Sequence, residues 1–151
     1  MMSVAATVLA TTATATALAG GIADARTGLV PNRLTYPALA LLGLLALSLQ
    51  AIDVASAGAL AIGGTLLTIH LVTRRRGLGL GDVKLGTCIG AGLGPQIGLA
   101  ALGVAFVAGG AVAGYRLGIA HAARGDAMAF APYLAGGCAV AFGLAALGLV
   151  G

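Results

Sequence analysis

The chain has 151 residues, 60% hydrophobic and 8% charged, with a mean hydropathy of +1.07. Soluble domains carry about 25% charged residues, so this composition excludes an ordinary water-soluble domain and predicts an integral membrane protein. The net charge of +4 and pI near 9.7 come from eight cations scattered between apolar segments; without a basic patch they argue against a nucleic-acid partner and for topology signals.

Apolar runs separated by short polar loops predict an all-α, polytopic bundle of six transmembrane helices forming one domain over residues 1–151. The helices are expected over 3–23, 36–52, 54–73, 83–94, 96–118 and 128–150, where a span needs about 20 residues. The first, residues 3–23, ends just before Asp24. Ala17-Leu18-Ala19 imitates a signal-peptide cleavage site, but no cation precedes Arg26, so the positive n-region is missing and a retained helix is expected. Its threonines (Thr7, Thr11, Thr12, Thr14, Thr16) predict a helix inside the bundle, with hydroxyls bonded to backbone carbonyls. Pro31-Asn32 is expected to shape the turn into the second helix and to aim Asp24. Helix three carries His70 near its end and is followed by Arg74-Arg75-Arg76, which read as a stop signal. The fourth segment is short and could fuse with the fifth; charge separates them. With six spans, all eight cations fall on one side and the other side holds only Asp53 and the Gly94-Pro95 turn, so the cationic side is cytoplasmic and both termini lie outside. Gly86, Gly90, Gly94 and Gly98, and again Gly110, Gly114 and Gly118, recur every four residues, the spacing that lets membrane helices approach closely.

Asp24 and Asp82 carry the chemistry. This topology brings both to the cytoplasmic face, and an acid beside hydrocarbon is costly and usually functional. Two nearby carboxyls share a proton, so one can take a proton from water while the other donates to a peptide carbonyl; no metal or cofactor is required. Gly77, Gly79 and Gly81 offer backbone freedom before Asp82 and room for an extended peptide. Each acid also has a simpler reading. Asp82 is a natural helix N-cap, and Asp24 can end helix one and pair with Arg26. Lys84 either tunes the acid pair or snorkels to the interface. Asp126 reads as a cap for helix six. His70 and His121 lack metal-ligand spacing and read as structural. Cys88 and Cys138 form no C-x-x-C motif and read as packing residues.

Asp24 followed by Val30-Pro31-Asn32-Arg33-Leu34-Thr35 resembles the first signature of type IV prepilin peptidases, an aspartate followed closely by Ile/Val-Pro-Asn-x-Leu-Thr. Gly79-Leu80-Gly81-Asp82-Val83-Lys84-Leu85 resembles the second, G-x-G-D-[VF]-K-[LF]. Phe130-Ala131-Pro132-Tyr133-Leu134-Ala135-Gly136 is similar to the F-x-P-[FY]-L-x-x-G element that opens the last helix of that family. The resemblance implies a six-to-eight-helix membrane aspartic peptidase that removes the basic leader of prepilins and pseudopilins at the cytoplasmic face, after a glycine. Asp24 and Asp82 map onto the family's catalytic aspartates, and Gly79, Gly81, Lys84, Pro31 and Asn32 onto substrate-binding or site-shaping positions. Larger members carry a cysteine-rich insert and also N-methylate the product; without C-x-x-C pairs, this chain resembles the short peptidase-only forms, such as those serving Flp-type pili. The implied setting is a multi-pass protein of the inner or plasma membrane whose partners are prepilin-like substrates and the bilayer, with no nucleic acid; a homo-oligomer is compatible with it. The rival reading is a small glycine-rich transport or proton-conducting subunit, whose acid belongs near mid-membrane. A presenilin-like intramembrane protease shares the G-x-G-D element, but the Pro-Asn-x-Leu-Thr and Lys84-Leu85 context favours prepilin processing.

Overall fold

The computed structural model describes residues 2–73, 78–118 and 129–150. These form five helices and, among the described residues, no strand: α1 (Val4–Thr27), α2 (Asn32–Ser48), α3 (Ile52–Val72), α4 (Leu80–Gly118) and α5 (Ala131–Ala146). The spans Val4–Thr27, Ile52–Val72 and Leu80–Arg116 are long and apolar enough to cross a membrane; α2 and α5, at 17 and 16 residues, are shorter. Arg74, Arg75, Arg76, Gly77, His121, Arg124, Asp126 and Met128 lie outside the described residues, and with them much of the charge pattern on which the expected sidedness rests.

The fused fourth and fifth segments are a hairpin rather than one rod. Gly94 has φ 72° and ψ 177°, non-helical values inside α4, and Pro95 follows it. A Cβ built on Gly98 would lie 3.6 Å from the Cα of Gly90, whereas eight residues of continuous helix span about 12 Å. The arms 80–93 and 95–118 therefore double back on each other. A positive φ is strained for any residue with a Cβ, and Pro95 has no N–H to continue the helical ladder. Both conditions put the break at this dipeptide.

The packing is inside-out relative to a soluble protein. Leu60, Val72 and Val107 are 75%, 77% and 74% exposed, while Thr14, Thr16, Asp24, Thr35, His70 and Asp82 are buried. Apolar faces turned outward and polar groups turned inward fit a lipid surrounding, where apolar contact alone gives helices no reason to associate. Close backbone approach supplies that reason. A Cβ on Gly58 would strike the carbonyl oxygen of Gly90, and a Cβ on Gly90 that of Gly58; only glycine at both places allows the α3–α4 crossing. Gly86 is likewise closed off by Leu66, and Gly98 by Ile62. The second glycine stripe does not pack in this way: nothing approaches Gly110, Gly114 or Gly118 within 4 Å among the described residues.

The threonines of α1 behave as expected. Thr7, Thr11, Thr12, Thr14 and Thr16 each donate a hydroxyl to the carbonyl four residues earlier, at 2.7–3.0 Å, which removes the cost of an unpaired hydroxyl in an apolar setting. Cys88 and Cys138 are free, buried packing residues; Cys138 Sγ lies 3.5 Å from Thr14 Oγ1. α1 packs against α2, α4 and α5, and α4 touches every other helix.

The Gly58–Gly90 contact generates a stability prediction. Gly58→Val and Gly90→Val should each lower the stability of the detergent-solubilised protein by about 1–3 kcal/mol, read as a fall in Tm. Gly110→Ala, where a Cβ meets open space, should leave stability unchanged or raise it by up to about 1 kcal/mol.

Candidate active site

Helix boundaries decide what Asp24 and Asp82 can do. α1 runs four residues beyond the expected end and closes at Gly28, whose φ of 69° is a left-handed C-cap and whose N–H bonds the carbonyl of Asp24. Asp24 therefore stands inside the last turn, held by helical backbone. α4 begins at Leu80, not at 83, so Asp82 is the third residue of the helix rather than a cap ahead of it. Its Oδ2 accepts the N–H of Gly79 at 3.1 Å. That is the back-reaching half of a capping box: an acid in the first turn satisfies a donor the helix leaves open.

Register brings the two acids to one place. Ala13 packs on Gly92 and Gly20 on Leu85, so α1 advances seven residues while the first arm of α4 recedes seven. One further turn in this antiparallel register reaches Asp24 on α1 and Asp82 on α4. Each acid is only 7% exposed. α5 completes the cradle. Ala135, Pro132 and the carbonyl of Ala131 crowd Gly21, and the N–H of Ala131 donates to Oδ2 of Asp24 at 3.2 Å. The start of α5 is fixed by Phe130, whose ring lies 5.2 Å from that of Phe106 on the second arm of α4 and against Gly109. Each carboxyl thus commits one oxygen to a backbone N–H, Asp24 to that of Ala131 across the bundle and Asp82 to that of Gly79 in its own helix start.

The neighbouring motif residues lock together rather than line a flexible loop. Val30 packs on Gly81, with 3.0 Å between the Val30 Cβ and a Cβ built on Gly81. Pro31 is the N-cap residue of α2 and Asn32 its first residue, so this helix starts four residues earlier than expected. Asn32 Oδ1 accepts from Lys84 Nζ at 2.8 Å, and the same ammonium lies 4.6 Å from the centre of the Tyr36 ring. Lys84 is therefore a strut between α4 and α2. Gly79 and Gly81 are not in the left-handed region, so backbone freedom is not what they supply there; Gly81 supplies the space that Val30 fills. Asp53 sits in the first turn of α3, one helix length from the acids. Among the described residues no three His, Cys, Asp or Glu side chains form a group that could hold a metal.

Sequence reading names His70 only as structural and misses the Ala131 N–H as a donor to Asp24. His70 is 4% exposed, and its Nδ1 lies 2.6 Å from the carbonyl of Leu78. The backbone donor at Ala131 had a sequence signal, the Phe130-Ala131-Pro132 element; a lone histidine in an apolar helix had none.

The Lys84 strut can be measured. Asn32→Ala and Lys84→Met should each cost under about 1 kcal/mol, and the double mutant should cost no more than the larger single change, because both remove the same partly exposed contact. Thermal melts of the four proteins in detergent give the coupling.

A family model described as the type IV leader peptidase family matches residues 11–114. That span includes Asp24, the Pro31-Asn32 element and Gly79 to Lys84. No match was found among curated proteins or among solved structures. With more than half of the chain matched, and both acids and the interlocked motifs inside the matched span, the chain belongs to the type IV leader peptidase family.

Proposed function

We propose that this protein is a membrane aspartic endopeptidase that removes the basic leader of type IV prepilin-like precursors at the cytoplasmic face. The observation that carries the reading is the convergence of Asp24 and Asp82, both buried, each with one oxygen held by a backbone N–H. Two carboxyls in that relation share one proton. The ionised member takes a proton from water as it attacks the scissile carbonyl. The protonated member donates to the carbonyl oxygen, and the tetrahedral intermediate then breaks the C–N bond as the amine is protonated. The chemistry uses water, two carboxyls and the peptide, with no metal or cofactor.

Placement of the acids supports processing at an interface rather than ion conduction. Asp24 lies in the last turn of α1 and Asp82 in the first turn of α4, whereas a transport site belongs near mid-membrane. In this reading the two arms of α4 cross separately, the bundle has six spans, and the active site opens to the cytoplasm. The apolar helix of the substrate lies in the bilayer beside the bundle, and its leader junction emerges at the level of the acids. Gly79 leaves space for an extended peptide there.

The test is leader cleavage of a prepilin-type substrate with a basic leader, co-expressed with the wild type, Asp24→Asn or Asp82→Asn. Each substitution keeps the shape and removes the titratable group. Each should lower cleavage by about 10²- to 10⁴-fold while the protein still inserts in the membrane. Normal cleavage by both variants sinks the two-aspartate mechanism.

A further inference from the structure

The buried imidazole of His70 has no part in the chemistry above. His70 sits in the last turn of α3, 4% exposed, in a helix whose one other ionisable residue, Asp53, stands at the opposite end. Burying an imidazole is unfavourable unless it is bonded. Its bond is to the carbonyl oxygen of Leu78, with Nδ1 at 2.6 Å. A carbonyl only accepts, so Nδ1 carries the hydrogen and His70 is the donor.

The carbonyl of Leu78 and the N–H of Gly79 belong to the same peptide unit. That unit is planar, and in the trans form its C=O and N–H point in opposite directions. One edge receives the imidazole, and the other donates to Oδ2 of Asp82 at 3.1 Å. Imidazole, peptide and carboxyl therefore form one line of hydrogen bonds from α3 to the acid. We infer that His70 is a positioning residue for Asp82, acting through the single peptide unit between Leu78 and Gly79. The inference rests on the reading of Asp82 as a catalytic acid.

Two physical effects follow from the line of bonds. The first is orientation. Leu78 and Gly79 precede α4, and a glycine is the residue least able to hold its own peptide plane. His70, fixed in a helix, holds that plane from the far edge and so fixes where the Gly79 N–H points. The second is polarisation. Bonds in a chain strengthen one another in a low-dielectric setting. A donor at the Leu78 carbonyl makes the Gly79 N–H a better donor to Asp82, and in the reaction it steadies the carboxylate as charge moves on and off it. A residue that merely closed the α3–α4 connection would need the carbonyl bond and nothing beyond it.

The experiment compares wild type, His70→Asn, His70→Gln, His70→Leu and Asp82→Asn, each as the full chain in detergent micelles, on a prepilin-type substrate with a basic leader, with kcat, KM and Tm measured separately. The Asn amide nitrogen reaches the place of Nδ1, the Gln amide that of Nε2, and Leu keeps the bulk without a donor. His70→Leu should lower kcat about tenfold, the worth of one lost hydrogen bond, with KM within about twofold of wild type. His70→Asn should recover most of that loss and His70→Gln little of it. The inference is overturned if His70→Leu keeps wild-type kcat, or if Asn and Gln perform alike. Should His70→Leu fail to fold, the Asn–Gln comparison decides alone. Asp82→Asn separates the two readings. If it is inactive while His70→Leu is unimpaired, only the positioning role fails; if it cuts like wild type, the catalytic reading of Asp82 fails and the positioning role falls with it.

Discussion

The rest of the structure depends on the need to satisfy two carboxyl groups buried in a protein that is almost devoid of charge. An acid surrounded by apolar side chains must find fixed donors or be expelled. Asp24 finds the N–H of Ala131, more than a hundred residues away in the chain, and Asp82 finds the N–H of Gly79 in its own helix start. The first bond ties the last turn of α1 to the first turn of α5. The second makes the beginning of α4 part of the site. Every other feature of the site serves to keep those two helix beginnings and one helix end together: the Phe106–Phe130 contact, the Lys84–Asn32 strut and the seating of Val30 on Gly81.

Side-chain volume does little of this work, which is natural for helices among lipid tails. The α3–α4 crossing is made by backbone against backbone at Gly58 and Gly90, and the α1–α4 crossing by Ala13 against Gly92. Small residues bring main chains close enough for dispersion to accumulate over many atoms. Hydroxyls are kept within their own helix by bonds to the preceding turn. The bundle thus keeps its few intermolecular-grade polar groups for one end, where the acids, His70 and the helix starts meet.

Much of this was legible in the sequence, for identifiable reasons. Apolar runs located the helices, and the charge pattern split the fourth segment from the fifth at Gly94-Pro95, where the structure has its positive-φ break. The acids were visible because charge is so rare in this chain. Helix ends were less legible. Expected ends stopped at the first polar residue, at 23 before Asp24 and at 83 after Asp82, yet both helices run through their acids because the acids are satisfied inside the bundle. Gly81 reads from sequence as backbone freedom and room for a peptide, whereas the structure seats Val30 against it, a placement that needs the neighbour's position. Lys84 reads from sequence as tuning the acids or snorkelling, and its hydrogen-bond partner on α2, 52 positions away, is invisible to that reading. His70 carried no pattern at all, since one peptide unit links it to Asp82 across a loop, and no spacing rule describes such a link.

The Gly58–Gly90 crossing has a consequence at a distance. His70 lies twelve residues after Gly58 on α3, and Leu78, just ahead of the antiparallel α4, lies twelve residues before Gly90. The glycine crossing therefore works as a register pin for the far end of the pair. A slip of one turn at the crossing displaces the imidazole by about 5.4 Å along the axis, well beyond bonding range of the Leu78 carbonyl. Two residues without side chains, about two turns along α4 from Asp82, thus set the register at which the acid-bearing end is built, and a substitution there reaches that end as a misalignment rather than as a lost contact.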